Sequence, residues 1–96
     1  MKTLTIQIGN SDNKLTQLQW SYFCEAVDSV VNYYTETIHF RGFSPGDTKW
    51  QNACWVVIVE TDNKQAAMLH ELSCLAPRFL QDSIAVTIGE TVFVGE

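Results

Sequence analysis

Chemistry near neutral pH needs titratable or nucleophilic side chains brought together, and only a few stretches of this chain offer them. The clearest is Glu36–Arg41, ETIHFR. Read as a strand, it sends Thr37, His39 and Arg41 to one side and Ile38 and Phe40 to the other. A histidine beside an anion-binding guanidinium could line a ligand cleft or serve acid–base work, with Thr5, Gln7 and Thr87 as hydrogen-bonding neighbours. A lone strand histidine is more often a surface or structural donor, which weighs against catalysis. Ser11 and Asp12 are adjacent but have no histidine nearby, and no G-x-S-x-G elbow occurs. Glu25 and Asp28 share a helical spacing, and the plain reading puts both on a solvated face. Cys24, Cys54 and Cys74 have no C-x-x-C spacing, and His39 and His70 stand far apart, so metal-ligand grammar is absent. Gly9 and Gly42-x-x-x-Gly46 make no phosphate cradle, because no Gly-Lys-Ser/Thr follows. Neither a cofactor nor a metal is implied.

The elements that must position these residues are legible. Residues 3–8, TLTIQI, alternate strictly, with Leu4, Ile6 and Ile8 on one face. Gly9 to Asn13 is a run of turn formers. Thr16 as N-cap puts Gln19 at the third helical position, a capping box, and Leu15 with Trp20 makes a hydrophobic staple. From Trp20 through Phe23, Cys24, Val27, Val30, Val31 and Tyr34 the apolar spacing is that of a helix packed on a core. A second strand covers about Glu36–Arg41. Ser44-Pro45-Gly46-Asp47 has the residues of a type II turn. A third strand covers about Ala53–Glu60. A second helix begins after Asp62, its expected N-cap, shows an apolar face at Met68, Leu69, Leu72, Leu75 and Ala76, and should end or kink at Pro77. A fourth strand covers Ser83–Ile88, and Thr91–Val94 could form a short fifth strand.

The order β-α-β-β-α-β predicts a single α+β domain over residues 1–96, a ferredoxin-like sandwich with an antiparallel sheet in the order 4-1-3-2 and both helices on one face. This topology gathers the loops after strand one, between strands two and three, and after helix two at one pole. That pole collects Asn10, Ser11, Asp12, Asp47, Lys49, Trp50, Gln51 and Asn52, a candidate contact surface. Ordinary turn chemistry explains most of these residues; Trp50-Gln51-Asn52 is the excess over it. Trp50 either plugs the core or docks a partner.

Strand three, ACWVVIVE, is apolar on both sides. If Cys54, Val56 and Ile58 face the helices, then Trp55 and Val57 lie on the open face; the opposite register is equally allowed. Either way apolar surface falls on the helix-free side, beside Gln7, His39, Arg41 and Thr87. Such a patch calls for a partner, and a second copy of the chain is the leading one.

Composition narrows the function. The chain has 96 residues, 46% hydrophobic and 18% charged, as a globular domain does. Its net charge of −5, with six scattered Lys and Arg residues, argues against binding a nucleic-acid backbone. RNA-recognition domains share the element order, but their aromatic strand motif is missing here. The amino terminus alternates and holds no signal-peptide apolar run, no stretch has membrane-span length, and the thiols read as reduced, which together imply a cytoplasmic protein.

The stretches TIQIGNSDNKLTQ and WQNACWVVIVE resemble a group of short bacterial and phage-type open reading frames of no assigned function. The likeness covers about the first two-thirds of the chain and carries over no catalytic residue. It implies a mobile-element protein, such as an anti-defence inhibitor that binds a larger host complex. The expectation is a homodimeric, non-catalytic protein-binding module. The alternative is a small-ligand site or enzyme of the dimeric α+β-barrel type, with a cleft under the sheet face.

Overall fold

The computed structural model describes residues 2–10, 12–45 and 51–95. The chain runs β1 (Lys2–Gly9), α1 (Gln17–Tyr34), β2 (Thr37–Phe43), β3 (Asn52–Ile58), α2 (Asp62–Arg78) and β4 (Ala85–Glu90). The four strands form one sheet in the order β2-β3-β1-β4, every neighbour pair antiparallel. Read from the other edge, this is the expected 4-1-3-2 order in an α+β fold.

The start of α1 follows from its first residues. Thr16 Oγ1 accepts the Gln19 amide at 3.2 Å, and Gln19 Oε1 accepts the Thr16 amide at 2.9 Å. Leu15 and Trp20 on either side of this cap are both buried. For α2 the cap is Thr61, one residue before the expected Asp62: its hydroxyl accepts the Lys64 amide at 3.1 Å. Asp62 occupies the first turn, where a carboxylate suits the positive end of the helix. Pro77 falls in the last turn, where it cannot give the helical hydrogen bond to Ser73, and Phe79 caps the helix two residues later.

Both helices pack on one side of the sheet. Leu4, Ile6 and Ile8 of β1 meet Phe23, Val27 and Val31 of α1, Met68, Leu72 and Leu75 of α2, and Ala53, Trp55 and Val57 of β3 in one buried cluster. The register explains why β3 turns this way. Leu4 pairs with Val57, Ile6 with Trp55 and Ile8 with Ala53. Directly opposed residues share a face, and β1 has only one apolar face to bury, so β1 sets the phase of a strand that is apolar on both sides. Trp55 and Val57 are therefore fully buried core residues and not the open-face residues the sequence allowed. Cys54, Val56 and Ile58 take the open side.

A β-bulge breaks β2 between Ile38 and Phe40. Ile38 opposes Val57 on the helix side, His39 is the extra residue, and Phe40 opposes Val56 on the open side. From there the alternation is inverted: Arg41 opposes Trp55 and Phe43 opposes Ala53, both on the helix side. The expected pattern, Phe40 inward and Arg41 outward, is thus reversed beyond the bulge. An extra residue is best tolerated here, because β2 is an edge strand with one ladder to keep. After β4, Thr91–Gly95 belong to no strand, although the Thr91 hydroxyl meets that of Thr3.

Candidate functional site

The described part of the polar pole is bonded within the fold. Asn10 is buried and spends its side chain on the β1–α1 connection: Oδ1 accepts the Leu15 amide at 3.0 Å, and Nδ2 donates to the Leu15 carbonyl at 3.0 Å. Its Nδ2 also reaches Gln51 Oε1 at 3.1 Å. Gln51, buried as well, exchanges two hydrogen bonds with Gln17 on α1, at 3.1 and 2.8 Å. Asp12 accepts the Lys14 amide, and the Asn52 amide donates to Ser44 Oγ at 2.8 Å. Ser11, Asp47, Lys49 and Trp50 lie outside the described residues, as does part of the turn expected at Ser44–Asp47. Among the described residues, the loop polar groups act as turn chemistry does, pinning β1, α1 and β3 together.

The helix-free side of the sheet has an apolar centre. Phe40 from β2 and Cys54, Val56 and Ile58 from β3 form it; Phe40 is 55% exposed, and the β3 residues are half-buried. Thr5 and Gln7 of β1 and Thr87 of β4 line its border, Thr5 directly opposite Thr87. Gly42 makes room for Phe40: a Cβ there would come within 2.6 Å of the Phe40 ring. Of the expected open-face set, Gln7 and Thr87 sit on the predicted side and His39 is exposed at the bulge.

Arg41 belongs to the opposite side. Its Nη1 donates to Asp28 Oδ1 on α1 at 2.7 Å, and the buried Trp55 indole Nε1 donates to the same oxygen at 2.9 Å. Asn32 Nδ2 donates to the second Asp28 oxygen at 3.0 Å. Burial alone would raise the Asp28 carboxyl; hydrogen bonds from Arg41 and Trp55, the Arg41 charge and the Asn32 bond outweigh it and hold the group below its ordinary value. Asp28 is thus the joint between α1, β2 and β3, not a solvated partner of Glu25. The sequence signal for it was there: Cys24, Asp28 and Val31 are spaced by four and three, which puts Asp28 at the border of the apolar stripe. Its partners were hidden, because Arg41 reaches this side only through the bulge.

The other titratable groups with a shift do not gather at one site. Burial raises the Cys24 thiol to about 11. Tyr34 donates to Glu71 at 2.7 Å, tying α1 to α2, and that bond raises its own phenol. Cys74 Sγ lies 3.8 Å from His70 Nε2 on the exposed side of α2. Among the described residues no group of three or more His, Cys, Asp or Glu side chains could hold a metal ion, and no helix is long and apolar enough to cross a membrane.

No family model matches the sequence, and no curated protein matches it. Among solved structures, the fold is similar to that in the ensemble refinement of the crystal structure of At3g17210 from Arabidopsis thaliana. The two align with a TM-score of 0.58 over 99% of this chain and 98% of that one, at 12% sequence identity. Likeness at that level is a likeness of fold alone.

Proposed function

We propose that the chain is a non-catalytic interaction domain of ferredoxin-like architecture that pairs with a second copy of itself through its open sheet face. The observation that supports this reading is the apolar centre formed by Phe40, Cys54, Val56 and Ile58 on the side no helix covers. A four-stranded sheet with one oily face loses that exposure most simply against an identical face across a two-fold axis. Thr5, Gln7 and Thr87 would form the polar rim of such a contact. The wider role we infer is that of a small acidic cytoplasmic protein binding a larger assembly, as an anti-defence inhibitor does. The net charge of −5 suits a basic partner surface. The alternative of an acid–base cleft under the sheet face loses ground, because Arg41 is tied to Asp28 on the other side.

The test is light scattering coupled to size exclusion, over a range of concentrations. The expected result is a dimer for the natural chain and a folded monomer for Val56→Lys, which sets a charge in the centre of the face. A natural chain that stays monomeric at high micromolar concentration, or a Val56→Lys variant that stays dimeric, would overturn the proposal.

A further inference from the structure

A second surface, on the helix side, has the features of a small-molecule site. α1 overhangs the β2 edge, and between them opens a cleft of about 660 Å³, within the range of ligand pockets. One wall is the α1 strip that includes Ser21, Cys24, Glu25 and Asp28; the other is Arg41 and Phe43 of β2. Trp20 supplies apolar surface near one end, where the Gln17–Gln51 pair closes the cleft. The Phe43 ring meets the buried Trp55 ring edge-on, centroids 5.7 Å apart, which holds it as part of the wall.

The charges of this cleft are unequally used. Both Asp28 oxygens are occupied, by Arg41 and Trp55 on one side and Asn32 on the other, so Asp28 orients its neighbours and is not open to a ligand. Arg41 spends Nη1 on Asp28; its Nε and Nη2 bond no described residue, which leaves an edge of a guanidinium fork that matches a carboxylate. Glu25, one helical turn before Asp28, makes no hydrogen bond or ion pair among the described residues. Residues three apart on a helix have Cβ atoms roughly 5–6 Å apart, so a free anion and a partly free cation stand about one turn from each other. A simple anion would meet Glu25 and the acidic chain; a simple cation would meet Arg41. A molecule carrying both charges close together satisfies both.

We propose that this cleft binds a small zwitterion of the aromatic amino-acid class, its carboxylate on Arg41, its ammonium on Glu25, and its ring against Phe43 and Trp20. The site is separate from the sheet face and does not depend on dimerisation.

The experiment is calorimetric titration of the full chain with L-phenylalanine and L-tryptophan, alongside phenethylamine, which lacks the carboxylate, and 3-phenylpropionate, which lacks the ammonium. At least one amino acid should bind, with both truncated compounds weaker by about tenfold or more. Glu25→Gln, an exposed substitution with no partner to lose among the described residues, should weaken binding about tenfold while the circular dichroism spectrum and melting temperature stay unchanged. Arg41→Lys, which keeps the charge but removes the fork, should also weaken it. Lack of binding by either amino acid up to millimolar concentration would overturn the proposal. So would equal binding of a truncated compound, or unchanged binding by a folded Glu25→Gln variant.

Discussion

Replacing Asp28 with alanine tests the joint between α1, β2 and β3 most directly. The substitution removes the acceptor of the Trp55 indole, Asp28 Oδ1 at 2.9 Å, and Trp55 has no exposed surface through which water could replace it. A buried donor left without a partner costs about 1–3 kcal/mol. The lost ion pair adds little: the Arg41 side chain is 45% exposed, and such pairs contribute about 0–1 kcal/mol. The expected loss is thus about 2–3 kcal/mol, or roughly 10–20 °C in melting temperature for a domain of this size. Asp28→Asn keeps an oxygen for the indole and should cost about 1 kcal/mol. Urea unfolding followed by circular dichroism, at one fixed protein concentration, measures both. In a Trp55→Phe background the cost of Asp28→Ala should fall to that of the ion pair alone. A neutral Asp28→Ala, or an alanine and an asparagine variant of equal stability, would refute the reasoning. The pH dependence follows in sign. The folded-state carboxyl lies below its ordinary value of 3.8, so its contribution is complete above that pH and is lost as the pH falls through the lowered value.

Two further outcomes are expected. Thr16→Ala removes the capping-box acceptor and should cost about 1 kcal/mol in urea unfolding, with Thr16→Ser near neutral; equal stability of the alanine variant would show that the cap contributes nothing. Thiol labelling should proceed in the order of exposure: Cys74 first, Cys54 more slowly, and Cys24, buried and raised to about 11, only on unfolding. Rapid labelling of Cys24 in the folded chain would contradict the packing of α1.

Much of the fold could be read in the sequence because local rules and global packing agree there. TLTIQI has a single apolar face, and Thr16-x-x-Gln19 admits one helix start. The failures have physical causes as well. ACWVVIV is apolar on both faces, so alternation carries no phase, and only pairing with β1 decides that Trp55 goes inside. TIHFRGF alternates without a flaw to the eye, because the inserted residue, His39, is polar like Thr37 and Arg41 two positions to either side and so keeps the alternation intact. Asp28 read as solvated for a related reason: its partners come from β2 and β3, and long-range partners are invisible to a helical wheel. Asn10 and Gln51 read as a contact surface because polar residues in loops look alike whether they bind outward or hold the chain inward. Their burial tells the two apart.

The extra residue in β2 has a consequence for how such a chain can change. Everything past His39 is rotated by half a period relative to what precedes it, so the phenylalanine faces one way and the arginine the other. Absorbing that residue into the ladder, so that His39 and not Phe40 opposed Val56, would exchange them, drawing an aromatic ring beneath the helices and setting a charge in the middle of the bare layer. A change of register, with no side chain altered, would convert an apolar face into a charged one.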